Sequence, residues 1–108
     1  MAHQWSPTYP TFRPYHISGV YVANMTLFNA RKDVSYYQLE VFDGDWNPIT
    51  FAAKAKLIKA PLHSTTNVDV YIHRSKLKVV RYICTRSMVK KEDARDTVVA
   101  SRICSKVK

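Results

Sequence analysis

The sequence predicts an all-β protein built as a single antiparallel β-sandwich of about seven strands with an extended N-terminal arm. Three observations predict it: apolar and polar residues alternate with a period of two, regular helical periodicity is absent, and only two glycines occur. A low glycine count favours a sandwich over a small closed barrel, whose bends often use glycine. The 108 residues, of which 46% are hydrophobic, allow one domain. We expect an arm over residues 1–16 and the sandwich over residues 17–108.

The arm is defined by prolines and aromatic residues. Pro7, Pro10 and Pro14 disfavour a helix and favour extended backbone. Burying a large aromatic side chain contributes about 1.5 to 3 kcal/mol, so these side chains should lie on a protein surface. We expect a docking arm that inserts into hollows of an adjacent subunit, and a cover strand on the same sandwich is the alternative. The predicted docking residues are Trp5, Tyr9, Phe12 and Tyr15.

Two segments in the first half of the chain predict strands. Residues 20–28 are apolar on both faces, as in a central strand. Residues 34–43 place Tyr37, Leu39 and Val41 on one face and polar residues on the other, which indicates a half-buried strand. The sequence DGDWNP at 43–48 then predicts a turn.

The clearest alternation lies over residues 67–73, where Val68, Val70 and Ile72 share one face. Before it, residues 52–60 read AAKAKLIKA, a composition that also suits a helix. Nine residues are short for an uncapped helix, so we predict an edge strand whose lysines discourage edge pairing. A helical turn is the alternative.

Two β-branched runs close the chain, at 78–89 and 97–107, joined by the charged link KKEDARD. A turn centred near Ala94 would bring Cys84 opposite Cys104 and Arg86 opposite Arg102. Facing arginines are unfavourable unless both reach an anion or solvent. Because no signal peptide is recognisable, we expect buried, reduced thiols, with a structural disulfide as the alternative.

Charge is concentrated in the second half of the chain. Residues 1–50 hold three basic and four acidic groups, net about −1, whereas residues 51–108 hold fourteen basic and four acidic groups, net about +10. Such an imbalance suggests an acidic protein surface or nucleic acid as partner. Within the basic stretch 54–106, the candidate anion or phosphate contacts are Arg74, Lys76, Lys78, Arg86, Lys90, Lys91 and Arg102.

Catalytic and metal-binding patterns are weak. Asp43, Asp45 and Asn47 imitate the start of a calcium loop, but Pro48 and Lys54 stand where that loop needs glycine and an acid. The four histidines and two cysteines lack metal-ligand spacing. We therefore expect no metal, no cofactor and no enzymatic activity. The longest apolar runs are only a few residues, so we expect no membrane insertion.

Three stretches resemble an immunoglobulin-type sandwich of the PapD-like kind, the group that includes pilus chaperones and major sperm protein domains. They are MTLFNARKDVSYYQLEVFDGD, LHSTTNVDVYIHRSK, and VVRYICTRS followed by TVVASRICSKV. The resemblance covers residues 17–107 and consists of strand order, so it implies the fold. The paired basic residues with which a pilus chaperone holds a terminal carboxylate have no match here, so the chaperone function is not carried over.

These observations together predict a structural or assembly subunit. Small immunoglobulin-like domains without signals recur in bacteriophage particles as decoration, adaptor or tail modules, although fold alone does not fix function. We expect synthesis in the cytoplasm, assembly into a virion, and docking on other subunits as a homo- or hetero-oligomer. The alternative is a basic nucleic-acid-binding module that contacts phosphates through residues 54–106.

Overall fold

The computed structural model describes residues 3–30, 32, 34, 36–88 and 101–108. These residues form eight strands and one short 3₁₀ turn, Arg74–Lys76. The strands are β1 (His3–Ser6), β2 (Arg13–Pro14), β3 (Val20–Asn29), β4 (Tyr36–Asp43), β5 (Leu57–Lys59), β6 (Thr65–His73), β7 (Val80–Met88) and β8 (Arg102–Lys106).

The strands form two antiparallel sheets that pack face to face. In the first sheet β3 is central, with β6 on one side and β1 and β2 in succession along the other. The second sheet has the order β5-β4-β7-β8. This confirms the predicted all-β antiparallel sandwich.

Alternation along the strands places the core between the sheets. Tyr37, Leu39 and Val41 of β4 are buried, as are Val68, Val70 and Ile72 of β6, as predicted. Ala23, Met25 and Leu27 supply the matching face of β3. Because side chains alternate between the two faces of a strand, the residues between these point outward and are free to form surfaces.

The N-terminal segment belongs to the sandwich. Trp5 lies opposite Leu27 in the β1–β3 ladder, is only 6% exposed, and donates a hydrogen bond from Nε1 to the carbonyl oxygen of Ile83 at 2.9 Å. Burial of the indole between the sheets is favourable enough to order this segment on its own domain. Trp5 is thus in a cover strand, the alternative considered above, and is not available to dock on an adjacent subunit.

The same segment closes one side of the sandwich. After β1, the carbonyl oxygens of Thr8 and Pro10 accept hydrogen bonds from the backbone N–H groups of Lys106 and Lys108 at 3.0 and 2.9 Å. The chain then returns to the first sheet, where β2 pairs with β3. Residues 3–14 therefore cover the edges of both sheets, and we call this the closed side.

The opposite side, formed by the edges of β5 and β6, we call the open side. Residues 52–60 form no helix: Ala52 makes an isolated bridge to Tyr71 of β6, and Leu57–Lys59 is an edge strand on β4. The prediction of an edge strand is confirmed for these three residues. The chain passes from the first sheet to the second between them, and the carbonyl oxygen of Lys56 accepts a hydrogen bond from the backbone N–H of Leu39 in β4 at 2.7 Å.

The β7–β8 ladder has the predicted register, with Cys84 opposite Cys104. The two cysteines form a disulfide, so the prediction of reduced thiols is wrong. Ser87 donates its backbone N–H to the carbonyl oxygen of Ser101, so the alternate pair Cys84–Cys104 is a non-hydrogen-bonded pair. Side chains approach most closely at such pairs, which brings the sulfur atoms within bonding distance.

A buried asparagine fixes two loops beside the core. Asn29 accepts a hydrogen bond from the hydroxyl of Tyr37 at 2.5 Å and donates to the carbonyl oxygens of Val34 and Ala60, each at 2.7 Å. Buried polar groups are costly unless hydrogen-bonded. The Asn29 amide thus stabilises the chain just after β3 and just after β5.

Candidate functional site: the outer face of the second sheet

The outward residues of β4, β7 and β8 build a surface of aromatic and basic side chains, which we call the outer face. Phe42, Tyr82 and Lys106 lie side by side across the three strands. Trp46, from the turn after β4, stacks flat on Tyr82 with ring centroids 4.1 Å apart and planes 6° apart. The guanidinium of Arg102 lies over the ring of Phe42, 5.5 Å from its centroid.

Trp46 is held in place by a hydrogen-bonded turn. Its backbone N–H donates to the carbonyl oxygen of Asp43 at 3.1 Å, and its φ of 64° is in the left-handed region that favours glycine. The Asp43 carboxylate accepts hydrogen bonds from the backbone N–H groups of Asp45 and Asn47, both at 2.9 Å. Asp43 therefore shapes the turn that presents the indole.

These hydrogen bonds also affect the titration of the turn. The backbone N–H of Asn47 lowers the pKa of Asp43 below its usual value of 3.8, with smaller lowering by the N–H of Asp45, the Asn47 side chain and the charge of Arg81. Because the folded pKa is depressed, the stability that ionised Asp43 contributes is present above pH 3.8 and is lost as the pH falls below it.

The facing arginines share one carboxylate. Arg86 lies opposite Arg102, as the predicted register requires, and Glu40 on β4 is the diagonal neighbour of Arg86. Arg102 Nε donates to Glu40 Oε1 at 3.1 Å, and Arg86 Nε lies 3.6 Å from Oε2, which is an ion pair without a hydrogen bond. The carboxylate of Glu40 is the anion that the sequence left unidentified.

The candidate anion contacts do not form one cluster. Arg86 and Arg102 lie in strands on the outer face, whereas Arg74 and Lys76 belong to the 3₁₀ turn that leads from β6 towards β7. Lys78 follows that turn and lines a shallow depression of about 200 Å³ with Asp43, Asp45 and Arg81. Lys90 and Lys91 lie outside the described residues.

The remaining residues of the predicted docking arm have different environments. Tyr9 is 64% exposed on the closed side, and Phe12 is partly buried against the core. Tyr15 packs edge-on against Tyr71 with ring centroids 5.0 Å apart, and its hydrogen bond raises the pKa of the Tyr71 hydroxyl. Of the four arm residues, Tyr9 is the most accessible to a partner.

Sequence reasoning missed Phe42 and Trp46 as site residues. Both come from the first half of the chain, and they meet Tyr82 of the basic second half only through the β4–β7 pairing and the turn after β4. The available signal was a tryptophan inside the DGDWNP turn, a position where polar residues or glycine are usual.

The described residues contain no group of three His, Cys, Asp or Glu side chains placed to hold a metal ion. No helix among them is long and apolar enough to cross a membrane. No protein-family model matches the chain, and no curated protein matches it.

Proposed function

We propose that this chain is a non-enzymatic structural subunit that docks on other protein subunits of a larger symmetric assembly, such as a bacteriophage particle. The observation that carries the proposal is Trp46, a residue that is 49% exposed although its ring is stacked on Tyr82. Tryptophan, tyrosine and arginine dominate the energetics of protein–protein interfaces. All three occur together on the outer face, as Trp46, Tyr82 and Arg102.

The conformation of Trp46 supports a binding role. A bulky residue in the left-handed region is disfavoured by roughly 1 to 3 kcal/mol, and such outliers cluster at functional sites. Glycine or asparagine would suit the same turn at less cost. The fixed turn and the flat stack also mean that little side-chain entropy remains to be lost when a partner covers the indole.

The charge of the outer face favours an acidic partner surface. Arg102 and Lys106 are exposed, and Glu40 is the carboxylate that offsets Arg86 and Arg102. An excess of positive charge steers the approach of an acidic subunit and contributes more to specificity and association rate than to affinity. This agrees with an assembly role in which neighbouring subunits supply the acidic groups.

Nucleic-acid binding is the second candidate, and the same stack favours it. Single-stranded nucleic acids bind to basic surfaces whose aromatic side chains stack on the bases. The exposed ring of Trp46 lies on the face that also carries Lys106 and Arg102, which gives the basic half of the chain an aromatic platform.

The test compares Trp46→Ala with Tyr9→Ala, a matched removal of an exposed aromatic on the closed side. The chain is analysed by size exclusion with light scattering, alone and mixed with the products of its neighbouring genes. We expect wild type and Tyr9→Ala to form a complex and Trp46→Ala to remain folded but unassembled. Assembly by Trp46→Ala as efficient as by wild type would overturn the role of the outer face.

A salt titration separates the two candidates. Binding to random single-stranded and duplex DNA is measured from low to high salt. Phosphate contacts give an affinity that falls steeply and linearly in logarithmic salt concentration. A chain that joins no protein assembly but binds DNA with this dependence, and loses it in Arg102→Gln with Lys106→Gln, would overturn the assembly proposal in favour of nucleic acid.

A further inference from the structure

The outer edge of β6 presents backbone groups that lack a neighbouring strand. Tyr71 donates its N–H to the carbonyl oxygen of Ala52 at 2.9 Å and accepts from the N–H of Ala52 at 2.8 Å, both on the side away from β3. Alternate residues in an antiparallel strand direct these groups to the same side. The N–H and C=O groups of Asn67 and Asp69 therefore point to the open side, where no strand in the described part of the chain pairs with them.

A groove runs beside this edge. It has a volume of about 420 Å³ and lies between β6 and the segment that contains β5. Its apolar lining includes Ile58 and Val68, while Lys54 and Lys59 stand on the β5 side. Ile58 and Val68 are largely buried, so an extended segment in this groove would mainly reach the backbone groups of β6 and lie over the groove floor that these two residues form.

We propose that this groove binds an extended acidic segment of a partner protein, which adds to β6 as an extra strand. Backbone hydrogen bonds to Asn67 and Asp69 give such an addition its affinity, and side chains alternating between groove and solvent give specificity. Inward side chains of the segment lie against the groove floor, and its carboxylates approach Lys54 and Lys59. The groove is separate from the Trp46 stack, so this proposal does not depend on the outer face.

The positive charge of the groove favours an acidic segment of a partner, rather than a second copy of this chain, as its occupant. Lys54 and Lys59 are exposed, and neither forms an ion pair with a carboxylate within the described residues. The Asp69 carboxylate is engaged by the Asn24 side chain at 2.6 Å. Two copies joined at this edge would bring the lysines of both grooves together, and like charges juxtaposed across an interface are unfavourable.

The probe is a short fluorescein-labelled peptide of alternating valine and glutamate, with binding measured by fluorescence anisotropy. Two control peptides accompany it: one with lysine in place of glutamate, and one N-methylated at alternate backbone positions along the edge that would face β6. We expect the acidic peptide to bind and both controls to bind at least about tenfold more weakly, because one loses charge complementarity and the other loses backbone hydrogen bonds.

Charge-reversed variants locate the site. Lys54→Glu with Lys59→Glu should weaken binding by roughly tenfold or more. The matched pair Lys78→Glu with Lys108→Glu, which has the same net charge but belongs to neither the groove nor the outer face, should leave it nearly unchanged. Hydrogen exchange should show new protection of the Asn67 and Asp69 amides in the bound state. Equal weakening by both pairs, equal binding of the N-methylated peptide, or unprotected Asn67 and Asp69 amides would each overturn the proposal.

Discussion

The closed and open sides of the sandwich solve the same physical problem differently. Each side contains the outer edges of the two sheets, where backbone groups can pair with strands of other chains unless the edge is covered or protected. On the closed side residues 3–14 cover β3 and β8, and Trp5 enters the core between the sheets. On the open side β5 and β6 are edges of different sheets, Ala52 forms an isolated bridge to Tyr71 of β6, and lysines stand along the groove.

Because the two sides are protected differently, we expect residues of the closed side to affect stability and residues of the open side to affect recognition of partners. Covering an edge with residues 3–14 buries apolar surface, so substitutions in these residues should reduce the free energy of unfolding. An edge protected by charge buries little, so changes there should affect partners rather than the fold. Edge lysines are in any case common protection against self-association, and the acidic segment proposed above is the partner class that such an edge still admits.

Replacing Trp5 by alanine gives the largest effect that this comparison predicts. Truncation of a buried large aromatic removes its burial and leaves a cavity, so we expect the free energy of unfolding to fall by about 3 to 5 kcal/mol. Urea denaturation followed by circular dichroism measures it. Tyr9→Ala is the control within the same segment and should change stability by less than about 0.5 kcal/mol because the side chain is exposed.

Equal stability of Trp5→Ala and wild type would show that the N-terminal segment is dispensable for the fold. That result would return the whole segment to the role of a docking arm for neighbouring subunits.

Loss of the Cys84–Cys104 disulfide should have the next largest effect. The bond closes a loop between residues 20 apart in sequence and ties β8, which carries the hydrogen bonds to Thr8 and Pro10, to β7. For a loop of this length we expect removal to lower the free energy of unfolding by about 2 to 4 kcal/mol. Urea denaturation of oxidised and reduced wild type measures the difference.

The double variant Cys84→Ala with Cys104→Ala is the control, because it lacks the bond under either condition. It should have the same stability with and without reductant, close to that of the reduced wild type. A wild type whose stability is unaffected by reductant would contradict the contribution of the bond.

Strand patterning was predictable because it depends on near neighbours in sequence. Alternation alone identifies the buried face of β6, which carries Val68, Val70 and Ile72. A turn centred on Ala94 was enough to predict that Cys84 lies opposite Cys104. The disulfide itself was missed because expected cellular redox conditions were given more weight than the register. Both sulfur atoms point to the outer face from a non-hydrogen-bonded pair. Which pairs of the β7–β8 ladder are hydrogen-bonded cannot be read from the sequence pattern.

The candidate surfaces were less predictable because they depend on contacts between distant residues. Proline and aromatic spacing showed that residues 3–14 are extended, but no periodicity says which surface Trp5 covers. The stack of Trp46 on Tyr82 requires a left-handed residue in the turn and a particular β4–β7 register. The groove of the open side exists because the chain crosses between sheets after Ala52, which no local pattern encodes.

The smallest effect distinguishes the charges of the outer face from those of the open side. Glu40→Gln removes the charge shared by Arg86 and Arg102 while keeping an oxygen that can accept from Arg102, so β8 stays in place with two arginines facing each other. Cross-strand charge pairs and exposed ion pairs each contribute a fraction of a kcal/mol, so we expect a loss of about 0.5 to 1 kcal/mol that shrinks at high salt. Lys59→Gln removes one charge on the open side and should change the unfolding free energy by less than about 0.5 kcal/mol.

Adding Arg102→Gln to Glu40→Gln should recover part of the loss, because the facing positive charges are then reduced to one. Urea denaturation of all four chains at low and high salt measures these differences, and equal losses from Glu40→Gln and Lys59→Gln would remove the electrostatic distinction between the outer face and the open side.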